Sequence, residues 1–127
     1  MVVVDVNVLV YLLIEGDQTK QVSDLLKREP EWVAPRLWRD ELINVFCTYE
    51  RLGRANRSEN LRRLSLAEQV ISKTYDIPAG KIFEVAQKSG CSGYDSQYLA
   101  LAEELGIPLF TFDKQILSAA PNSAFKP

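Results

Sequence analysis

The sequence predicts an α/β fold in which helices cover both faces of a central, mainly parallel sheet, as a three-layer α/β/α sandwich. Short runs of β-branched and apolar residues alternate along the chain with segments of helical periodicity. Strands that alternate with helices form parallel sheets of this kind. No repeat, low-complexity segment or linker interrupts the pattern, and 127 residues are the size of one domain. We therefore expect a single domain over residues 1–127.

The first half of the chain is predicted to hold two strands and three helices. The β-branched run that opens the chain predicts a buried strand. Asp17 is the expected N-cap of the second helix, because aspartate accepts hydrogen bonds from the free N–H groups of a first turn. Gly53 is a natural residue at which to end the third. The predicted order is strand 2–5, helix 7–14, helix 19–29, strand 32–34 closed by Pro35, and helix 36–52.

The second half is predicted to hold four helices and one strand. Ser58 is the expected cap of a helix that the Pro-Ala-Gly segment at 78–80 brings to an end. Gly90 and Gly106 mark the ends of the next two helices, because glycine is typical at that position. The predicted order is helix 59–74, helix 81–88, a helix within 91–106, strand 107–112 and helix 113–120.

The composition excludes several kinds of chemistry. Hydrophobic residues make up 46% and charged residues 25% of the chain, as in ordinary globular proteins. The chain has no histidine, which excludes imidazole catalysis and histidine-ligated zinc. Its two cysteines, Cys47 and Cys91, are too few for a disulfide framework, and we expect both to be buried. Any chemistry must therefore rest on carboxylates, hydroxyls or amines.

We expect neither a membrane segment nor a signal peptide in this sequence. Its longest apolar run, residues 2–14, is interrupted by Asp5 and Asn7 and is shorter than the ~20 residues that span a bilayer. A signal peptide requires a basic stretch before its apolar run, and this run has none. We expect a soluble, cytoplasmic protein with no membrane partner. The net charge of −2 gives by itself no argument for nucleic-acid binding.

Two acids follow predicted strands at the edge of the sheet where ligands bind. Asp5 comes after the first strand and Asp113 after the last. In α/β proteins with parallel sheets, ligands lie outside the carboxyl ends of the strands. Each acid also has an ordinary explanation, because a short acid after a strand often caps the helix that follows.

Two further acids lie on helix faces that should meet the core. Glu41 shares a stripe with Leu37 and Val45, and Asp95 has Tyr98 at helical spacing. A buried carboxylate is costly unless a positive group pairs with it. For Asp95 the alternative is a structural role in a first helical turn, where the helix dipole stabilises a carboxylate.

Together, the four acids predict a metal site. Without histidine or cysteine, a cluster of carboxylates selects a hard cation such as Mg²⁺ or Mn²⁺. Such ions act on phosphate esters by binding substrate oxygens and activating a water nucleophile. Without a cation, converging carboxylates repel one another and several must bind protons. The predicted metal ligands and catalytic residues are Asp5, Glu41, Asp95 and Asp113.

Three segments carry a resemblance to a known family. The segments and their polar residues are VVVDVNVLVYLL with Asp5 and Asn7, APRLWRDELINVF with Glu41, and YDSQYLALAEELGIPLFTFDKQIL with Asp95, Thr111 and Asp113. In this order and spacing they resemble the motifs of the PIN-domain (PilT N-terminus) ribonucleases and, within them, of VapC-type toxins from bacterial and archaeal toxin–antitoxin pairs. Residues 54–90 match only in helical character, and Val6 stands where many members have a small or hydroxyl residue.

The resemblance implies a metal-dependent endoribonuclease that hydrolyses structured RNA and leaves a 5′-phosphate and a 3′-hydroxyl. One or two Mg²⁺ or Mn²⁺ ions would be held by Asp5, Asp95, Asp113 and, directly or through water, Glu41. Asn7 and Thr111 would orient the aspartates. A helix cap is the alternative for Asn7, and an ordinary strand position for Thr111.

The same resemblance implies protein partners. VapC-type toxins pair with a VapB-like antitoxin whose C-terminal segment blocks the active site, and they commonly form homodimers. An apolar groove beside Phe46 and Tyr49 would suit a partner's helix. PIN domains also process RNA outside toxin pairs, which is the alternative for this chain.

A basic segment lies in the middle of the chain. Residues 51–73 carry six basic and two acidic side chains, whereas the flanking segments are acidic. Phosphate contact is one interpretation, because arginine matches phosphate oxygens, and a solvated turn between helices is the other. Arg39 is a separate candidate for binding substrate or for neutralising the acids. The candidate RNA contacts are Arg39, Arg51, Arg54, Arg57, Arg62 and Arg63.

Two other functions are weighed against the nuclease. The segment Asp5–Val8 loosely resembles the nucleophile motif of haloacid dehalogenase-like phosphatases, but Asn7 replaces the acid that donates a proton there. An aspartyl-phosphate trapped on Asp5 would favour this alternative. The second is a non-catalytic α/β binding module, which would normally have lost acids that this chain retains.

Overall fold

A five-stranded sheet runs through the computed structural model, which describes all residues from 1 to 127. The elements in chain order are β1 (Val2–Val4), α1 (Val6–Leu13), α2 (Thr19–Arg28), β2 (Trp32–Pro35), α3 (Leu37–Arg51), α4 (Arg57–Val70), β3 (Ile71–Tyr75), α5 (Ala79–Ser89), α6 (Asp95–Leu105), β4 (Leu109–Phe110), α7 (Lys114–Ala119) and β5 (Ala124–Phe125).

The strand order is β3-β2-β1-β4-β5, and every neighbouring pair is parallel. In register, Val3 of β1 lies between Val33 of β2 and Leu109 of β4. The chain winds outward from β1 to β3 and then returns to the other side of β1. The crevice between β1 and β4 is therefore the switch point at which such sheets bind ligands. With its helices, the sheet confirms the predicted α/β/α sandwich.

The core explains why the central strands lack alternating polar residues. All residues of β1 and β2 are buried, as expected for parallel strands covered on both faces. One cluster of 26 buried hydrophobic residues extends from Val2 to Ala124, so the structure has no second core. Its three largest fully buried side chains are those of Trp32, Trp38 and Tyr98.

The two edge strands were not predicted. The expected helix over 59–74 ends at Val70, and residues 71–75 form β3 instead. This segment pairs with β2 on one side only, and its Ser72 and Lys73 are exposed. Edge strands commonly carry such polar residues, so no apolar run signals them. Strand β5 has two residues, too few for any periodicity.

Two predicted helix caps are also wrong. Asn56, not Ser58, caps α4, and Gln18, not Asp17, precedes α2 without a side-chain cap. The Thr19 hydroxyl instead accepts a hydrogen bond from the Gly16 N–H at 2.9 Å and donates one to the Tyr11 carbonyl at 2.7 Å, which connects the start of α2 to α1.

Glycines end three helices as predicted, but only one cysteine is buried. Gly53, Gly90 and Gly106 have positive φ angles, a conformation that glycine adopts freely. Cys91 is buried as expected, whereas Cys47 on α3 is exposed. No helix combines the length and the apolar character needed to cross a bilayer.

Replacement of Asn56 by alanine should destabilise the protein, whereas Ser58→Ala should not. Asn56 accepts a hydrogen bond from the Glu59 N–H at 2.9 Å and donates one to the Glu59 carboxylate at 2.7 Å. Loss of such a cap lowers the free energy of unfolding by about 1 kcal/mol. Urea unfolding of both variants measures the difference, and equal losses would contradict the assignment of the cap.

Candidate active site

A cavity of about 280 Å³ opens at the carboxyl edge of the sheet, beside the switch point. All four predicted acids line it, and no lysine or arginine does. None of these acids takes part in a salt bridge. The lining residues are Asp5, Val6, Asn7, Glu41, Asn44, Val45, Asp95, Tyr98 and Asp113. The structure thus gathers the predicted acids into one negatively charged cavity.

Asp5 lies at the base of this cavity and is only 4% exposed. It follows β1 directly and is the N-cap of α1, where its Oδ1 accepts a hydrogen bond from the Val8 N–H at 3.2 Å. Its Oδ2 accepts a hydrogen bond from the Thr111 hydroxyl, which lies beyond the end of β4. Both oxygens are therefore fixed, one by a helix start and one by the neighbouring strand.

Asp113 is held in the same way on the other side of the switch point. It is the N-cap of α7, and its Oδ1 accepts a hydrogen bond from the Ile116 N–H at 2.9 Å. Its own N–H donates to the Thr111 hydroxyl at 3.0 Å. Thr111 is fully buried and links the two aspartates. Asp5 and Asp113 are thus both helix caps and lining residues of the cavity, so the two interpretations are not alternatives.

Glu41 and Asp95 enter the cavity from helix faces. Both side chains are half-buried, on α3 and at the start of α6 respectively. The Tyr98 hydroxyl donates a hydrogen bond to Glu41 Oε1 at 2.6 Å. Ser92 accepts a hydrogen bond from the Asp95 N–H at 3.0 Å. The sequence placed both acids on inward faces but gave no sign that Tyr98 contacts Glu41.

Burial and mutual repulsion shift the pKa values of three acids upward. Burial raises the pKa of Asp5 to about 6; hydrogen bonds from Thr111 and the backbone oppose this shift, and the charge of Asp113 adds to it. Burial likewise raises the pKa of Glu41 and of Asp95, helped by the charge of Asp95 and of Asp113 respectively. Burial, followed by the charge of Glu41, raises the pKa of Tyr98 far above its ordinary value, which keeps its hydroxyl a donor.

The donor set fits a hard divalent cation. Four carboxylates without a basic neighbour are the ligands that Mg²⁺ and Mn²⁺ take, and a cation would relieve the repulsion between them. No three of them converge closely enough to form a finished set of ligands. Since Mg²⁺ retains several waters and uses only one or two carboxylates, it does not need such a set.

The other predicted residues are only partly in the site. Asn7 lines the cavity, but its side chain makes no hydrogen bond to the acids, and Asp5 rather than Asn7 caps α1. Arg39 points away from the acids and forms two hydrogen bonds with Glu68, at 2.6 and 2.7 Å. It therefore does not neutralise the cavity. Asn44, which the sequence did not indicate, is a further lining residue.

The arginines of the basic segment lie outside the cavity. Arg51 donates to the Thr48 hydroxyl at 3.3 Å, and Arg63 is mostly buried against Glu59. The exposed arginines are Arg51, Arg54, Arg57 and Arg62. Arg57 lines a separate, largely apolar cavity of about 140 Å³ between α3 and α4.

A sequence model of the PIN domain matches residues 2–121 of the chain. No curated protein matches the sequence significantly.

Solved structures with the same fold come from several organisms. A protein of Pyrobaculum aerophilum, PAE2754, has a TM-score of 0.78 and 23% identity, with 97% of this chain and 81% of that chain covered. A toxin–antitoxin complex from Klebsiella pneumoniae has a TM-score of 0.72 and 17% identity, covering 100% and 98%. VapC20 of Mycobacterium tuberculosis, a toxin that cleaves the sarcin-ricin loop, has a TM-score of 0.70 and 15% identity, covering 94% and 95%.

Asp5→Asn should stabilise the metal-free protein above pH 6. The pKa of Asp5 is about 6 in the folded chain against an ordinary 3.8. The folded state therefore binds this proton more tightly, and stability falls as the pH rises through this interval. About two pKa units correspond to about 3 kcal/mol. Urea unfolding in excess chelator should show the variant more stable than wild type by up to this amount at pH 8 and by little at pH 4.

The exposed acid Asp17 provides the matched control, since Asp17→Asn removes a carboxylate that lies outside the cavity. A stability difference between Asp5→Asn and wild type that is the same at pH 4 and at pH 8 would show that the buried charge is not the destabilising element.

Proposed function

Because the chain belongs to the PIN-domain family, we propose that it is a Mg²⁺- or Mn²⁺-dependent endoribonuclease that hydrolyses phosphodiester bonds in RNA. PIN domains are generally nucleases. The observation that carries the proposal is the cavity lined by four acids and no basic residue. One continuous core supports treating residues 1–127 as a single nuclease domain.

The four acids have different proposed roles, which follow from how each side chain is held. Asp5, Asp95 and Asp113 would hold one or two cations, with Thr111 fixing the relative positions of the first and last through its two hydrogen bonds. Glu41 would bind directly or through water and help to position the attacking water. Its Oε1 is bound to Tyr98, and its Oε2 has no hydrogen bond within the protein. Asn7, at the rim, would be an accessory polar group.

When bound, Mg²⁺ or Mn²⁺ supplies the positive charge that binds phosphate oxygens and makes water a stronger nucleophile. The protein contributes a cavity that keeps its acids apart from basic residues, so their charge is available to a cation. In the proposed reaction water attacks the phosphorus and the bond to the 3′ oxygen breaks, which leaves a 5′-phosphate and a 3′-hydroxyl. In this mechanism no acid is itself the nucleophile, which distinguishes it from phosphatases that form an aspartyl-phosphate.

We further propose that the protein is the toxin of a VapC-type pair that acts in the cytoplasm. The same fold occurs in a toxin–antitoxin complex and in VapC20. The apolar cavity between α3 and α4 is flanked by the exposed side chains of Ile43 and Leu61. Such a surface favours the binding of another protein. We propose that a VapB-like antitoxin and a second copy of this chain are its binding partners.

RNA cleavage should require Mg²⁺ or Mn²⁺ and stop in excess EDTA. Asp95→Asn removes one proposed ligand and should reduce the rate by more than the ~100-fold that loss of an outer partner costs. The measurement is mapping of RNA ends after incubation with purified protein. Asp40→Asn is the matched control, because Asp40 is an exposed acid on α3 outside the cavity.

Two results would overturn this function. One is a rate of RNA cleavage by Asp95→Asn that equals the rate of the wild type. The other is cleavage by the wild-type protein that persists in excess EDTA and does not occur in a control prepared in the same way without the protein. Cleavage of DNA but not RNA would support the proposed metal-dependent hydrolysis and would show that the substrate is DNA.

RNA contact by α4 should depend on Arg62 and not on Arg63. Arg62 is exposed, whereas the Arg63 side chain is 14% exposed and bonded to Glu59. Binding to RNA, measured over a salt series in the Asp95→Asn background, should lose about one unit of salt slope in Arg62→Ala. Arg63→Ala should instead lower the free energy of unfolding. An unchanged slope in Arg62→Ala would assign this segment to a solvated surface.

A further inference from the structure

Tyr98 is the one aromatic residue that lines the acidic cavity. It lies on α6, one turn after Asp95, and its side chain is 1% exposed. Its hydroxyl donates a 2.6 Å hydrogen bond to Glu41 Oε1. This is the only side-chain hydrogen bond between α3 and α6. The bond therefore connects the two helices that bring Glu41 and Asp95 to the cavity.

Glu41 has no other side-chain partner. The nearest arginine in sequence, Arg39, is bonded to Glu68, and no salt bridge includes Glu41. A glutamate side chain has several rotatable bonds, and a half-buried one loses much conformational freedom when it is fixed. A hydrogen bond to a charged acceptor is among the stronger ones and compensates for this loss. The phenol is thus the group that fixes the carboxylate.

We propose that Tyr98 is a positioning residue, whose phenol holds Oε1 of Glu41 and leaves Oε2 free to bind the cation or the attacking water. The inference rests on the proposed nuclease function and deepens it. A purely structural role, in which the core supplies a partner for a buried hydroxyl, predicts effects on stability alone. A positioning role predicts weaker metal binding in a protein that is still folded.

Tyr98→Phe removes the hydroxyl and keeps the ring. Loss of an outer partner of a metal ligand typically costs 10–100-fold in metal affinity. We expect calorimetric titration of the protein with Mn²⁺, in the absence of RNA, to show a dissociation constant raised by about this factor. Cleavage should fall at limiting Mn²⁺ and recover in part at high Mn²⁺, with an unchanged KM for RNA. Circular dichroism checks the fold.

Tyr49→Phe is the matched control. Tyr49 is a half-buried tyrosine on α3 that lies outside the acidic cavity. The same chemical change there should leave Mn²⁺ affinity at the wild-type value. An equal loss of Mn²⁺ affinity in Tyr98→Phe and Tyr49→Phe would show a general loss of rigidity in the protein and overturn the proposal.

A double-mutant cycle tests whether Tyr98 acts through Glu41. In the Glu41→Gln background the carboxylate is absent, so Tyr98→Phe should cause no further loss of Mn²⁺ affinity. The same loss in both backgrounds would overturn the proposal. Should Tyr98→Phe fail to fold, Tyr98→Leu is placed in the wild-type and Glu41→Gln backgrounds instead. A loss of Mn²⁺ affinity only where Glu41 is present supports the proposal, and an equal loss in both backgrounds overturns it.

Failure of the inference and failure of the proposed function give different results. A wild-type protein that binds no Mn²⁺ and cleaves no RNA overturns both. A wild-type protein that does both, together with wild-type Mn²⁺ affinity in Tyr98→Phe, overturns the role of Tyr98 alone.

Discussion

The carboxylate of Asp5 connects three elements at the switch point of the sheet. It follows β1, caps α1 through the Val8 N–H, and accepts a hydrogen bond from Thr111 beyond β4. The chain returns to the opposite side of β1 at this point, so a crevice opens there. Asp113 is positioned relative to Asp5, because both contact the Thr111 hydroxyl. The arrangement of the remaining acids is built around this fixed centre.

Holding the carboxylate there costs stability that capping does not recover. The hydrogen bonds from Thr111 and from the Val8 N–H lower the pKa of Asp5, yet burial still raises it to about 6, which corresponds to about 3 kcal/mol when the group is charged. The deficit is tolerated because β1 and β2 are buried throughout and anchor the base of the cavity. It also makes the cavity favourable for a cation, since a bound cation compensates the buried negative charge.

The sequence predicts the centre of this structure better than its edges. Asp5 and Asp113 could be placed because a short acid after a buried strand has a defined position at the sheet edge. Glu41 and Asp95 could be placed by helical spacing against apolar neighbours. Strand β3 could not, because Ser72 and Lys73 face solvent at an edge and continue the pattern of the preceding helix. Arg39 lies close to Glu41 in sequence, but its partner Glu68 comes from α4, a contact that only the tertiary fold determines.

The site holds its acids by two different means, and the difference explains why one tyrosine matters. Asp5 and Asp113 have short side chains that accept hydrogen bonds from backbone N–H groups, so the fold of the main chain fixes them. Glu41 has a longer side chain in the interior of a helix, where backbone N–H groups are already used within the helix. It can be fixed only by another side chain, and that side chain must reach across from a different element. Tyr98 is long enough to do so and buried enough to stay in place, so the precision of this corner of the site depends on one phenol rather than on the backbone.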